Sequence, residues 1–383
     1  MKVVLAPQSF KGTAFATAVS NAMRRGVMQV APHSEITSVP IADGGSGTVE
    51  ALVSATGGNY VSTLTEDPLN RLITACWGVL GDGKTAIIET AAASGLSLLD
   101  ISERNPTKTT SKGTGNLIRA AIDAGYRRIL IGLGDSATND AGVGLAQALG
   151  MRAMDVYGRE LSDGGGALAN LNSFDMSHIH PNLSSVDMTV LCDVTNPLCG
   201  LDGASFVFGS QKGATGKQIK VLDAALGRFA DVVEGQFGHK IRDIEGSGAA
   251  GGLGAGLVSL CGAVLCPGFD IVSEVLNIPE SLIGADLVLT GEGRIDAQTT
   301  NGKGVAGVAS LAKKCGVPLV IAIVGGNELS MEEAASLGID GIFTISDSIE
   351  SSIINVEATP SLIEATTVRV VSQVLSNGKR YEY

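Results

Sequence analysis

The sequence predicts an α/β protein of two domains. The first is a parallel α/β domain assembled from both ends of the chain (1–65 and 285–383), and the second is a mixed-sheet α/β domain inserted between them (66–284). Three observations carry this expectation. A chain of 383 residues exceeds one ordinary hydrophobic core. Near both termini, short apolar runs alternate with helix-compatible stretches, the mark of right-handed crossovers and a parallel sheet. The middle of the chain instead shows alternating, hairpin-like runs. The cleft between two such domains is the expected binding site.

Residues 1–6, MKVVLA, read as a buried strand, followed by the polar loop PQSFKG and an amphipathic helix over 13–30 with Thr13 as its N-cap. Residues 36–42 form the next strand, which ends in DGGSGT before a helix running through Ala55. Two successive strands thus bring Lys11 and Asp43 to the same sheet edge. The middle has strands expected at 61–66, 74–80, 85–89, 186–192 and 205–208, with helices near 115–124 and 142–149. The parallel pattern resumes with strands at 287–290, 318–324 and 341–345 and helices at 305–314, 331–337 and 360–375.

Residues 285–303, ADLVLTGEGRIDAQTTNGK, organise the rest. A buried strand ends abruptly in two glycines and the charged set Glu292, Arg294 and Asp296, with Lys303 opening the next helix. Open α/β sheets bind ligands outside the carboxyl ends of their strands, which makes this loop a candidate site. A solvated turn with an Arg–carboxylate pair is the alternative.

Composition narrows the function. Charged residues make up only 17%, hydrophobic residues 44%, and 51 glycines suit close packing, so disorder is excluded. A net charge of −12 opposes nucleic acid and anionic membranes as partners. The six cysteines include no CxxC pair, and His178 and His180 lie in a polar loop with few ligand types nearby, so neither a zinc site nor a disulfide framework is expected. The N-terminus begins as a strand and not as a signal peptide, which implies a reduced, cytoplasmic setting. Residues 246–269 carry no Lys, Arg, Asp or Glu, but their glycine-rich first half is too weakly hydrophobic for a membrane span, and the stretch reads as a glycine-rich loop entering a buried helix.

Five stretches could carry chemistry. Residues 78–85, GVLGDGKT, satisfy the P-loop pattern, but Asp82-Gly83 signals a hairpin turn and AII continues as strand, so a hairpin is expected. Residues 129–140, ILIGLGDSATND, are a buried strand leading into a loop where Ser136, Asn139 and Asp140 either meet an anion or metal, or cap a helix. In VLCDVTN, Asp193 sits at the end of an apolar strand, where a carboxylate is costly unless paired or used. QKGA, with Lys212, and the glycine-rich 246–256, with Gly251 and Gly252, either admit a polyphosphate to the backbone or serve tight packing.

Taken in order, SFKG (9–12), ADGG (42–45), GDGKTAIIE (81–89), AAASGL (91–96), SATND (136–140), CDVTNPL (192–198), QKGA (211–214), GAAGGLGAGL (248–257) and TGEGRID (290–296) resemble the bacterial type I glycerate kinase family over essentially the whole chain. The resemblance implies a flavodoxin-like domain built from both chain ends and a central domain similar to restriction enzymes. It also implies transfer of the γ-phosphoryl of ATP to D-glycerate, giving 2-phosphoglycerate, with 3-phosphoglycerate as the alternative product. On this basis Lys11, Lys212 and Lys303 are candidates for phosphate charges, and Ser136, Asn139, Gly251, Gly252 and Glu292 for the nucleotide side. Arg294 is the candidate for the glycerate carboxylate, Asp193 for the base or hydroxyl orienter, and Asp43, Asp140 and Asp296 for Mg²⁺. A homodimer is left open. The chain departs from the family where Gln8 replaces an Asp, Ser46 an acidic residue and Asp135 a Gly; glutamine can orient a hydroxyl but cannot act as a base. Those losses motivate a second reading, a non-catalytic sensor of glycerate or nucleotide. An acid:nucleotide ligase is a third.

Overall fold

The computed structural model describes residues 1–10, 12–42, 44–296, 304–345 and 357–376. They form two compact units, one comprising Met1–Asp43, Glu50–Thr56 and Phe269–Tyr383, the other Gly44–Val49 and Gly57–Gly268.

The first unit is built on a five-stranded parallel sheet in the order Gly341–Thr344, Leu319–Val324, Leu287–Gly291, Lys2–Pro7, Glu35–Ser38. Numbered along the chain within this unit, the strands lie 2-1-3-4-5, the doubly wound flavodoxin-like order. Its uninterrupted apolar strands are explained by burial on both faces. Val3, Leu5, Leu287, Leu289, Ile321 and Ile323 point into one core with the Ala16–Val30 and Thr359–Ser376 helices. Val4, Ala6, Val288, Val320 and Ala322 point the other way, onto the Gly304–Lys314 helix. That helix packs through Val305, Val308, Ala309 and Ala312, an i, i+3, i+4, i+7 stripe.

The second unit holds a six-stranded mixed sheet in the order Val264–Cys266, Asp187–Leu191, Arg128–Gly132, Thr85–Glu89, Leu72–Val79, Asn59–Glu66. The first four strands are parallel and the last two antiparallel. Residues 78–85 form a hairpin, with Val79 opposite Ala86 and Asp82 accepting from the backbone N–H of Lys84 and Thr85 at 2.9 Å each. Trp77 fills the core beneath it, its indole N–H donating to Thr63 Oγ1 at 2.9 Å.

Several local expectations are corrected. Residues 204–208 are helix, not strand: the N–H of Val207 bonds to Gly203 O and that of Gly209 to Ser205 O, so packing overrides a β-rich composition. Thr13 does not cap the first helix, which starts at Ala16; its hydroxyl bonds back to Phe10 O at 3.0 Å. The strand Asn59–Glu66 belongs with the second unit, because the turn at Asp67 folds it onto Leu72–Val79. Ile278 and Leu282 join the first unit's core, which places its border after Gly268. In 246–269 the helix Ala249–Cys261 is interrupted near its start by a left-handed stretch at Ala250, Gly251 and Gly252. Among the described residues no helix is long and apolar enough to cross a membrane.

Candidate active site

In the first unit the strand order reverses direction between Lys2–Pro7 and Leu287–Gly291, the switch point at which doubly wound sheets bind ligands. Gln8 leaves one strand with its N–H on Gly291 O at 2.8 Å. The other strand leads into Glu292, half-buried, whose carbonyl accepts from Gly325 at 3.2 Å. Arg294–Ile295 then pairs with Gly326–Asn327, which fixes the direction of the loop. The Arg294 guanidinium is exposed and meets Glu328 at 3.0 Å. Such an exposed pair contributes only about 0–1 kcal/mol, so an incoming carboxylate can replace Glu328. Asp296 is half-buried at the end of this described segment. Lys11, Asp43 and Lys303 lie outside the described residues.

In the second unit three parallel strands, Thr85–Glu89, Arg128–Gly132 and Asp187–Leu191, end side by side. Asp193 follows the last of these, and its Oδ1 accepts from the N–H of Gly268 at 2.8 Å. The loop after Arg128–Gly132 brings Ser136, Asn139, Asp140, Lys212 and Gly251 together. The Lys212 ammonium donates to Ser136 Oγ at 2.9 Å and to the Thr138 carbonyl at 2.7 Å. It is 2% exposed, and burial holds it at about 7, down from 10.5, with Asp140 opposing the shift. Asn139 donates to Ser205 Oγ at 3.0 Å. Gly251 presses against this loop at φ +73, where a Cβ would collide with the Thr138 carbonyl. Gly252 packs at the neighbouring Ala141 and Leu198.

Asp140 takes the capping role. Its Oδ2 accepts from Ser111 N, Ser111 Oγ and Gly144 N at 2.8, 2.9 and 3.3 Å, and its Oδ1 from Gly142 N at 3.2 Å. Burial raises its carboxyl above the ordinary range. With both oxygens occupied inside the fold, Asp140 has no coordination position to offer Mg²⁺, an ion that takes one or two carboxylates alongside substrate phosphates. Among the described residues no group of three or more His, Cys, Asp or Glu side chains could hold a metal ion. Asp296, half-buried beside an exposed loop, is a hard oxygen donor of the type this ion accepts.

Two further carboxylates stand outside the site residues chosen from the sequence, Glu89 and Asp135, the second noted there only as a departure from the family. Glu89 ends its strand with its Oε1 accepting from Val49 N at 2.7 Å, and burial pushes the carboxyl up to about 7 from 4.5. Asp135, held at φ +59, accepts from Ser46 N at 3.1 Å. The signal for Glu89 was present, a carboxylate closing an apolar strand as in the run to Asp193.

Residues 3–375 match the family model described as the Glycerate kinase family. The chain is similar to the glycerate kinase of Bacillus subtilis (strain 168), at 48% identity over 90% of each chain. It is also similar to the glycerate 2-kinase of Escherichia coli (strain K12), at 46% identity over 91% of each chain. A crystal structure from Salmonella typhimurium LT2 carrying the name glycerate kinase 2 superposes with a TM-score of 0.87 at 42% identity, covering 99% of this chain and 100% of that one. With the switch-point loop of Glu292 and Arg294 and the strand-end carboxylates of the second unit in place, the chain belongs to the glycerate kinase family.

Proposed function

We propose that the protein transfers the γ-phosphoryl of ATP to D-glycerate, giving 2-phosphoglycerate, in a cytoplasmic setting. The observation that carries this reading is Arg294, exposed on the switch-point loop and paired among the described residues with the surface carboxylate of Glu328, in a chain of the glycerate kinase family. Its planar fork suits the bidentate grip of a carboxylate, which fixes the glycerate at one end. Asp193 takes the hydroxyl of the substrate, as orienter or base. Lys11 and Lys303 meet the phosphate charges; Lys212, whose ammonium is spent inside the fold, supports the Ser136–Asn139 loop instead. Asp296 with Asp43 would hold Mg²⁺, which would supply neutralisation of the phosphate charge that develops during transfer.

The test is ³¹P NMR of purified protein with ATP, Mg²⁺ and D-glycerate. A new phosphomonoester at the 2-position together with ADP is expected. ADP with a 3-phosphate would change the product assignment. Binding of either ligand without ADP would favour the sensor reading suggested by Gln8 and Ser46, while hydroxylamine trapping of an acyl phosphate would favour a ligase.

A further inference from the structure

The Gly44–Val49 segment lies across three strand ends of the second unit. The Gly44 carbonyl accepts from Gly134 N at 2.9 Å, and a Cβ on Gly44 would stand 2.8 Å from the Leu191 carbonyl. A Cβ on Gly134 would collide with the backbone of Gly45. Ser46 N is held by Asp135, and Val49 N by Glu89. The N–H groups of Gly47 and Thr48 act on the same Glu89 carboxyl and favour its ionised form. The strands touched are those that lead to Ser136 and Asp193.

We propose that Glu89 is a positioning residue for phosphoryl transfer, seating the Gly44–Val49 segment on the carboxyl ends of the strands that lead to Ser136 and Asp193. This rests on the kinase reading above. Three N–H groups at the start of the Thr48–Thr56 helix suit a carboxyl acceptor, as helix N-termini do. Desolvation opposes ionisation, as does Asp135, the charged group acting on Glu89 most strongly; the segment itself brings no charge, and the strand residue opposite is Gly132. Lifting the segment returns Glu89 to water and towards its ordinary pKa. Proton uptake therefore favours the seated segment, and the seat loosens as pH rises towards 7. Glu89→Gln has the same shape without ionisation, so its seat does not respond to pH.

Amide protection at Gly47, Thr48 and Val49, corrected for intrinsic exchange, is measured from pH 5 to 8 in the wild type and in Glu89→Gln. A wild-type fall of about tenfold or more across this range, absent in Glu89→Gln, is expected. Equal pH dependence in both proteins, or protection lost in Glu89→Gln at pH 5, would overturn the seat. Asp135→Asn keeps an acceptor for Ser46 and removes the charge that raises the Glu89 pKa, so the fall should move to lower pH; a fall that moves to higher pH would overturn the assignment. Wild-type turnover is measured first, so a protein without kinase activity is told apart from a segment that does not follow Glu89. With turnover present, a decline in kcat/KM towards pH 8 that is absent in Glu89→Gln supports the positioning role, and identical profiles in the two proteins overturn it.

Discussion

The Lys212 ammonium donates to the Ser136 hydroxyl at 2.9 Å from beneath the loop, within a fully buried setting. Lys212→Met should therefore act through the loop, leaving Ser136 and the Thr138 carbonyl without a donor at about 1–3 kcal/mol for each unsatisfied group. The sign with pH follows from the lowered amine. Above about 7 the folded chain has released the proton that the unfolded chain keeps up to 10.5, so wild-type stability rises with pH across that window. Urea melts at pH 6.5 and 9 should show a larger gap between wild type and variant at pH 9. An unchanged stability with a raised KM for ATP would instead return Lys212 to the phosphates.

Gly251→Ala should cost clearly more than Gly262→Ala. Both positions have positive φ, +73 and +72, so each alanine carries a backbone penalty of about 1–2 kcal/mol. Only Gly251 faces the Thr138 carbonyl at close range, whereas Gly262 faces open space. Equal shifts in Tm would mean that the loop yields freely to the added methyl group.

Arg294→Lys keeps the charge and loses the fork, and is expected mainly to raise the KM for glycerate. An effect confined to the KM for ATP would move Arg294 to the nucleotide phosphates. Asp193→Asn should mainly lower kcat, by about 10² to 10⁴ if the carboxylate is a general base. A near-normal kcat would remove Asp193 from the chemistry.

Glu89 also sets a stability change. Its folded pKa is raised to about 7 from 4.5, so the group's contribution is fully present below 4.5 and is lost as pH rises through 7. Glu89→Gln should therefore gain on the wild type between pH 5 and 8, by up to about 3 kcal/mol. Denaturant melts at the two pH values check this, and a gain of the same size at both would detach it from ionisation.

The alternation of short apolar strands and amphipathic helices was legible in the sequence because it is a local, periodic signal. Val3 to Ala6 and Leu319 to Val324 must be covered on both faces, and a parallel sheet with helices on either side does this. The hairpin at 78–85 was legible for the same reason, since a turn residue and its flanking strands lie within a few positions. The charges at the strand ends, Glu292 and Arg294 in one unit and Asp193 in the other, were legible as residues closing apolar runs, at the kind of edge where open α/β sheets bind ligands. What those side chains face was decided only by tertiary structure. Asp140 meets Ser111, Lys212 meets Ser136, and Glu89 meets Val49 across 29, 76 and 40 positions of sequence. Capping, burial and the pKa of a carboxyl at about 7 come from those distant partners, and no spacing in the chain encodes which of them will arrive.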